Sequence, residues 1–487
     1  MQILFRKLRR WKWIGKGICI MPLLLIQHCT LQPVDREPLQ PAGEQAIPDY
    51  DRQNLTSRLC GFQEPLLQQW QEKALRDGNF DLAAARARLR QATALADQRQ
   101  SFLLPRADLE LSAVRLKEQS FSGTSGTGGF SGASSEIIAA DTIFSGSLGA
   151  SYEVDLWGRL RNQHKAALLE VEAADADIKT AEISVSAELA EAWFDFVAAR
   201  INTQVLERQL QTSKNLLKLI RFRFRQGLAE GLDITQQQQQ LESLVGEQAQ
   251  VRAGADTARH RLRVLSGMAK DIGSRAAETF PRLLALPPEG VPVNILAGRP
   301  DLAAAWLRLR AIDYRTAAVV SDWLPDLVLS ANISDQAAEL ADLFNELFWQ
   351  LSAAISQSLY EGGRRDAVIR ESRARAEEQL YRYGALYRQA IRELRDALVL
   401  ENRRLQQIES LDEQYRLATV ALELAREKYA NGEVGYLRVL SALQAKQDLD
   451  RRLVNLQRQR LSDRIGLCRA MGATLSPAEE KSASGTY

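Results

Sequence analysis

The sequence contains few of the residues that build metal and redox centres. Among 487 residues there are four cysteines and three histidines. They lie far apart, with no C-x-x-C pair and no zinc or haem spacing, which argues against a disulfide scaffold and a Cys/His metalloenzyme. Phosphate-binding glycine loops and the H-E-x-x-H zinc motif are missing as well. We therefore expect no enzymatic activity and no cofactor.

The sequence also lacks a marked excess of charge of either sign. Lys and Arg number 63 against 61 Asp and Glu, a formal net charge of +2. Nucleic-acid binding usually requires a clear basic excess, so we expect no nucleic-acid partner. No apolar run reaches the roughly 20 residues that a transmembrane helix needs, which argues against a polytopic helical membrane protein. The hydrophobic share of 45% is that of an ordered chain.

The N-terminus has the pattern of an export signal. A basic stretch at 6–16 precedes the short apolar run Ile18–Ile26, and polar sequence follows. Secretory signal peptides have this order of charge and hydrophobicity. We therefore predict a signal peptide over residues 1–28.

Cys29 stands directly after this segment, at the place where a bacterial lipoprotein is cleaved and acylated. Gln27 and His28 precede it where small residues are expected, so a plain signal peptide with an incidental cysteine stays open. Prolines spaced along the polar sequence that follows favour an extended tether. We predict acylation of Cys29 and a lipid-anchored tether over 29–60.

The distribution of proline divides the rest of the chain. No proline occurs between Pro105 and Pro281 or between Pro325 and Pro477, whereas five cluster from Pro281 to Pro300. A proline inside a helix costs about 3 kcal/mol or more. Two helical units joined by a proline-rich connector are therefore predicted.

The two units have matching sequences. Asp81–Ala85 matches Asp301–Ala305 at an offset of 220, and Gly158-Arg159 matches Gly363-Arg364 at an offset of 205. Landmarks that recur in order at a fixed offset indicate a tandem duplication. The predicted boundaries are a first repeat at 61–267, a connector at 268–300, a second repeat at 301–473 and a disordered tail at 474–487.

Each repeat is predicted to contain a pair of strands, at 105–157 and 325–360. Apolar and small polar residues alternate there, which is the pattern of a transmembrane barrel. In the strand Trp349–Leu359 we expect lipid to meet Leu351, Ala353 and Ile355, and the lumen to meet Ser352, Ala354 and Ser356. A half-buried sheet in a soluble protein would alternate in the same way.

A helical hairpin follows each strand pair, at 158–267 and 363–472. The first predicted helix runs for nearly 70 residues from Gly158 to Gln226, and Gly227 and Gly231 separate it from the return helix. Helices much longer than 25 residues indicate a coiled coil or an α-barrel. A solvated coiled coil explains the helices but neither the signal nor the strands.

Five motifs make the chain resemble a known family. They are Cys29–Pro33, Ser151–Arg159, Arg299–Leu302, Leu359–Arg364 and Tyr429–Gly432 followed by Tyr436-Leu437. With them, the chain resembles the TolC-like outer-membrane efflux channels, in particular the lipid-anchored branch that serves tripartite RND-type pumps. The resemblance implies a homotrimer in which each chain gives four strands to a 12-stranded outer-membrane β-barrel, continued by a long periplasmic α-helical barrel.

This resemblance also implies a function and partners. The expected protein is a passive duct in the outer membrane that works with a periplasmic adaptor (membrane fusion) protein and an inner-membrane RND-type pump. Four strands are too few to close a barrel, and open edges in lipid would leave backbone groups unpaired, so the strands themselves require oligomerisation. A type I secretion outlet and a non-pore envelope coiled-coil scaffold remain alternatives.

In the family, the hairpin tips farthest from the barrel form the periplasmic entrance. The candidate gate residues are Gly227, Glu230, Asp233, Gly432, Glu433, Tyr436, Leu437, Arg438 and Ser441. Family members often carry Asp at the positions of Arg438 and Ser441, so an acidic ring is not expected there. Asp233 and Arg438 could instead latch neighbouring hairpins, or both could be solvated surface charges.

Overall fold

The computed structural model describes residues 33–36, 56, 59–62, 64–119, 138–268, 279–287 and 291–475. The predicted signal peptide, Cys29, most of the tether and almost all of the tail lie outside these described residues. The statements below concern the described part of the chain.

The described residues form two successive sets of helices and strands. The first set comprises α1 Pro65–Lys73, α2 Phe80–Ser101, β1 Arg106–Gln119, β2 Ile138–Val154, α3 Arg159–Arg225 and α4 Gly231–Ser266. The second comprises α5 Pro300–Ser321, β3 Asp326–Ala337, β4 Phe348–Ser356, α6 Arg364–Ala430 and α7 Tyr436–Ala470. Helices α2 and α5 each have 22 residues, α3 and α6 each have 67, and α4 and α7 have 36 and 35.

The long helices begin and end where local chemistry requires it. α3 continues for 67 residues without proline, a length of about 100 Å at 1.5 Å per residue. Gly227 ends it with a φ of 75°, and Gly432 ends α6 with a φ of 79°. Glycine enters this left-handed region without a steric penalty, so the helix can stop within two residues and the chain can reverse.

The four strands form one antiparallel sheet in the order β1-β2-β3-β4. Its register sets a row of apolar residues across the strands, Leu109, Leu148, Ile333 and Trp349. Ser151, Ser330 and Ser352 lie opposite each other in another row. Because successive side chains of a strand point to opposite faces, the sheet has one mainly apolar face and one polar face, with small polar side chains and, in β1, Asp108 and Glu110. The predicted mixed α and β class with four strands per chain is confirmed.

Two compact units share these elements. The strand unit comprises Ser101–Asn162 and Ala317–Val368 and holds the whole sheet. The helical unit comprises Val34–Gln100, Gln163–Thr316 and Ile369–Tyr487. The long helices α3 and α6 each continue from one unit into the other.

The main core of the helical unit is apolar and almost free of water contact. Its largest buried side chains include Leu67, Leu189, Trp193, Phe194 and Leu262. Tyr383, Tyr387 and Leu394, from the predicted stripe of α6, are buried as well, whereas Leu168 at the start of the predicted α3 stripe is exposed. Burial of such side chains contributes about 1.5–3 kcal/mol each, so this cluster is the main stabilising contact among the helices.

A disulfide bond joins two positions that the sequence analysis did not pair. Cys60 bonds Cys468 of α7, 408 residues away, with 5.7 Å between their Cα atoms. Leu59 and Cys60, the last two residues of the predicted tether, are buried in the main helical core. The bond therefore connects the N-terminal segment to the C-terminal helix.

An ion pair lies one helical turn before this disulfide. Arg464 of α7 pairs with Glu401 of α6, and neither side chain is more than 1% exposed. The same guanidinium donates to the carbonyl oxygens of Leu59 (3.3 Å) and Leu284 (2.8 Å). One arginine thus connects α6, the N-terminal segment and the connector.

Candidate functional site

The apolar face of the sheet is uncovered in the single chain. All nine residues of β4 are exposed. Large apolar side chains open to solvent on this face are Leu109, Leu111, Leu148, Leu329, Ile333, Trp349, Leu351 and Ile355. β1 and β4 are the outer strands, and no described strand pairs with their free edges. An apolar face of this size with unpaired edges requires a lipid or protein partner.

The polar face carries small hydrogen-bonding side chains. The hydroxyls of Ser112 and Ser145 lie 2.6 Å apart, as do those of Ser330 and Ser352. The predicted lumen-facing Ser352 lies on this face, and the predicted lipid-facing Leu351 lies on the other. The division of side chains that the alternation predicted is therefore present in β4, whereas the contact with lipid stays a prediction.

The motif Ser151–Arg159 forms the junction between β2 and α3. Asp155 accepts the backbone N–H groups of Leu160 (3.1 Å) and Arg161 (2.9 Å), which caps the first turn of α3. Trp157 donates its indole N–H to the carbonyl oxygen of Pro325, just before β3 (2.9 Å). The motif therefore fixes the start of a long helix against the neighbouring strand.

Each hairpin tip is closed by the same backbone arrangement. The N–H of Leu228 donates to the carbonyl of Arg223 at 2.9 Å, and the N–H of Glu433 donates to the carbonyl of Lys428 at 2.9 Å. This six-residue closure with a left-handed glycine before its last residue is a Schellman motif. Gly227 and Gly432, predicted from sequence as the breaks, occupy that glycine position in the two tips.

The return helices differ in how their first turns are capped. At the start of α4, the Asp233 carboxylate accepts the N–H of Glu230 at 3.1 Å, and the Glu230 side chain accepts in return, which completes a capping box. At the start of α7, the equivalent residues are Gly435 and Arg438, and no side chain caps the helix. Arg438 is exposed there. A cation in the first turn of a helix is unfavourable with the helix dipole.

Two aromatic residues connect the two hairpins close to their tips. Tyr436 is 2% exposed, donates its hydroxyl to Gln237 of α4, and packs its ring edge-on against Tyr429 with centroids 5.9 Å apart. The guanidinium of Arg223 lies 4.4 Å from the Tyr429 ring centroid, a cation–π contact. Burial, with nearby Tyr429 and Asp233, raises the pKa of Tyr436, so its hydroxyl stays protonated and remains a donor.

The remaining candidate gate residues lie at the tip surface. Glu230, Glu433, Leu437 and Ser441 are exposed. Among the described ion pairs of the single chain, none joins Asp233 to Arg438. The predicted latch between neighbouring hairpins is therefore not a contact within one chain, and between chains it remains a prediction.

Sequence reasoning missed Gln237, Tyr429 and Arg223 at the tips. Gln237 is completely buried and also donates to the carbonyl of Ser213 at 2.9 Å, which ties α4 to α3. Its run of five glutamines gave no sign that one of them faces the interior. The signal that could have found Tyr429 was its place in the motif Tyr429–Gly432, directly before the glycine break.

The described ranges contain neither a membrane-spanning helix nor a cluster of metal-binding side chains. No helix there combines the length and the apolar character needed to cross a bilayer. Among the same residues, no group of three or more His, Cys, Asp or Glu side chains could hold a metal ion.

The chain is similar over most of its length to known outer membrane proteins. The model of the family described as "Outer membrane efflux protein" matches residues 73–268 and 291–473. The pyoverdine export outer membrane protein OpmQ of Pseudomonas aeruginosa is 32% identical over 424 residues, 84% of this chain and 86% of that protein. The probable outer membrane lipoprotein SilC of Salmonella typhimurium is 24% identical over 66% of this chain and 70% of its own length. The crystal structure of VceC from Vibrio cholerae superposes with a TM-score of 0.75 at 26% identity, covering 85% of this chain and 98% of VceC.

Proposed function

The chain belongs to the family of outer membrane efflux proteins, and on that premise we propose that it is the outer-membrane channel of a tripartite efflux system. It acts as a passive duct that exports small molecules from the periplasm or from the pump. Its partners are two further copies of itself, a periplasmic adaptor protein and an inner-membrane RND-type pump. The family is one of channels and not of enzymes.

The open four-stranded sheet is the observation that carries this proposal. Its apolar face is exposed and both of its edges are free within the described chain. Unpaired edges in lipid cost several kcal/mol for each backbone group, and single-chain bacterial barrels begin at eight strands. Three chains of four strands, 3 × 4 = 12, close a barrel in which the apolar face meets lipid and the serine-rich face meets water.

The long helices also carry apolar surface that further copies of the chain would cover. Large apolar side chains stay exposed along the long helices, among them Leu219, Phe222, Leu417 and Leu424. Single exposed apolar residues are ordinary, but repeated ones along a helix indicate a partner helix. We propose that neighbouring copies cover them and that the hairpins form the periplasmic α-helical barrel. The repeated element order supports an origin by tandem duplication, with repeats at 61–267 and 301–473.

The periplasmic partners are expected at the hairpin tips. Leu228, Leu232 and Leu437 are about three-fifths exposed there, beside the charged Glu230, Glu433 and Arg438. An apolar patch with a charged rim is typical of a protein interface. We propose that the adaptor docks on this surface and releases the closed tip, while the pump supplies the energy.

The cargo is proposed only as a chemical class. The Pseudomonas aeruginosa relative is named for pyoverdine export. The polar face offers serine, asparagine and glutamine side chains together with the carboxylates of Asp108 and Glu110, a wet and partly acidic lining. Small molecules such as drugs, toxic compounds or metal ions fit this lining, and selection would lie mainly in the pump.

Cysteine pairing supports the proposed lipid anchor at Cys29. Cys19 lies in the predicted signal peptide, and Cys60 and Cys468 are bonded to each other. After removal of residues 1–28, Cys29 would be the one unpaired cysteine of an exported protein. An odd cysteine there calls for a reaction partner, and acylation supplies it. The anchor would add to the hold of the barrel.

Single-channel conductance of the purified protein in a planar bilayer tests the proposed duct. A trimeric channel gives discrete conductance steps, whereas a coiled-coil scaffold gives none. Co-purification from crosslinked cells then separates the two kinds of duct. An RND-type pump and its adaptor are expected, and the transporter of a type I secretion system in their place would contradict the efflux role.

A further inference from the structure

The loop between β3 and β4 is folded back onto the apolar face of the sheet. Asp335, near the end of β3, shares this face with Gly146 and Leu111 in the register. Its carboxylate accepts the backbone N–H groups of Phe344 at 2.6 Å and Glu346 at 3.2 Å, and it is only 3% exposed. A buried carboxylate must be paired or hydrogen-bonded, and the loop backbone supplies those bonds.

The ring of Phe344 gives a second, independent reason to place the loop there. A Cβ atom built on Gly146 would lie 3.0 Å from two carbons of this ring and 3.2 Å from Leu111. Gly146 thus leaves a notch in the apolar face, and the ring fills it. Phe344 has a φ of 85°, a region that bulky residues rarely adopt, so the contact with the notch and the bonds to Asp335 must outweigh this backbone strain.

The outer side of the loop is apolar as well. Leu340, Phe344 and Leu347 are all more than half exposed, and the exposed Trp349 follows at the start of β4. Side chains that are held against the sheet and still face outward would be unfavourable in water. They continue the apolar face towards the end of the strands, so the same medium should cover the sheet and the loop.

The register gives the depth of this loop in a bilayer. Gly146 is paired with Asp335, eight residues along β2 from the pair of Val154 and Leu327. Eight residues span about 27 Å along a strand, or about 20 Å of membrane thickness at a tilt of roughly 40°. The apolar band of an outer-membrane barrel is about 25 Å tall. With the pair of Val154 and Leu327 placed at its inner boundary, the loop therefore lies about 5 Å inside its outer boundary.

We infer that the loop Leu340–Leu347 is a lipid-binding anchor. Its side chains Leu340, Phe344 and Leu347 insert among the acyl chains of the outer leaflet. This inference rests on the proposed barrel. The Gly146 notch and the Asp335 carboxylate hold the loop in place, and the anchor fixes the outer rim of the barrel at one depth. The occupant is lipid because the loop extends the face that the barrel turns to the membrane.

A nitroxide label attached at Leu340→Cys reports whether position 340 lies among acyl chains or in water. The label is placed in the full-length trimer, which is reconstituted in phosphatidylcholine vesicles. Oxygen concentrates in acyl chains and a nickel chelate in water, so their relative effects on the label report its surroundings. The label at position 340 should respond more to oxygen than to nickel. Unmutated protein treated with the same reagent corrects for any reaction at Cys29.

Variants of the notch test the mechanism. Gly146→Ala places a methyl group against the Phe344 ring and should shift the Leu340 label towards nickel. Gly149→Ala is the matched control, because its new Cβ lies on the other face with nothing nearer than 3.7 Å. Phe344→Ala removes the ring without adding bulk and should act like Gly146→Ala. If neither variant moves the label, the notch does not hold the loop and the inference is wrong.

Labels at Leu351→Cys and Ser352→Cys separate failure of the inference from failure of the barrel. A nickel response at 340 with an oxygen response at 351 would overturn the anchor and leave the barrel intact. Shielding of position 340 from both reagents would mean that protein covers the loop, which also overturns the anchor. A nickel response at 351 would instead contradict the proposed membrane barrel.

Discussion

Arg464 and Glu401 show what a long-range ion pair does inside the helical unit. Both side chains are buried, and the Arg464 Nε donates to both oxygens of Glu401 at 2.9 Å. Nη2 also donates to Glu401, and Nη1 and Nη2 donate to the backbone carbonyls of Leu59 and Leu284. Such a pair need not stabilise more than apolar residues would, but the loss of one partner leaves a buried charge uncompensated.

Glu401→Gln should therefore lower the free energy of unfolding of the helical unit by about 3 kcal/mol or more. The matched control is Glu413→Gln, which breaks the exposed pair of Glu413 and Arg416 and should leave stability unchanged. Urea unfolding followed by helical circular dichroism measures both. Equal midpoints for the two variants would show that burial of the Arg464 pair is not what matters.

Gly78 illustrates a close backbone approach. A Cβ built there would collide with the carbonyl oxygen of Ser266, at the end of α4. Gly78→Ala should destabilise the protein by about 1–3 kcal/mol, as overpacking does. Gly254→Ala, with nothing within 4 Å of its new Cβ, should stabilise the helix by about 0.5–1 kcal/mol. Thermal unfolding compares the two, and a stabilising Gly78→Ala would contradict the contact.

Among the helices, the return helices α4 and α7 differ in the charge of their first turn, although the two repeats have the same order of elements. α4 starts with the favourable carboxylate Asp233, and α7 starts with Arg438 in the equivalent place. The helix dipole disfavours that cation by about 0.3–1 kcal/mol. Arg438 therefore does not contribute to the local stability of α7.

Arg438→Asp should raise the single-channel conductance of purified trimers, because repulsion against Asp233 of a neighbouring hairpin would open the tip. Adding Asp233→Arg should restore closure only in part, since that change also removes the capping carboxylate of α4. Lys214→Asp makes the same change of charge on an exposed position of α3, about 20 Å from Gly227 along the helix, and should have no effect. Unchanged conductance in Arg438→Asp would make it an ordinary surface charge.

The strand β4 allows the faces of the sheet to be compared directly. Leu351→Arg should destabilise the inserted barrel by about 2–4 kcal/mol, because the charge would lie near the midplane of the bilayer. Ser352→Arg, one residue away on the polar face, should be tolerated. Unfolding of reconstituted trimers in urea measures the difference. Equal tolerance on both faces would mean that the strand is not in a bilayer.

At the scale of the whole molecule, the N-terminal segment is tied to the helical unit at several points. Arg36 forms a bidentate ion pair with Asp313 of α5 at 2.7 and 3.0 Å, and Cys60 is bonded to Cys468. Burial raises the pKa of Asp313, and Arg36 opposes that shift. These contacts hold the N-terminal segment without a lipid.

Cys29→Ala should therefore impair processing or sorting to the outer membrane more than it lowers the stability of the trimer. The retained bonds of Arg36 and Cys60 are the reason for this difference. Mass spectrometry of the mature N-terminus checks the premise, with an acylated Cys29 as the expected first residue. An unmodified N-terminus downstream of Cys29 would refute the lipid anchor.

Regular patterns were enough to predict the elements. The absence of proline and the helical period predicted a helix over 158–226, and α3 covers Arg159–Arg225. The alternation of apolar and polar residues predicts a strand as far as Leu359, whereas β4 ends at Ser356. Its partner strand begins at Asp326, directly after Pro325, which has no N–H to donate. The two-residue alternation shows where a strand can form, but the length of the neighbouring strand decides where it ends.

By itself, the sequence determined the helix lengths, the two-faced strands, the glycine breaks and the family. Each of these features is visible as a periodic or contiguous pattern of residues. Tertiary structure alone decided the bond of Cys60 to Cys468, the burial of Arg464 with Glu401, the buried Gln237 and the loop held by Asp335. Each of these joins residues whose neighbours in sequence look ordinary. Their partners are chosen by packing in three dimensions, which no local period records.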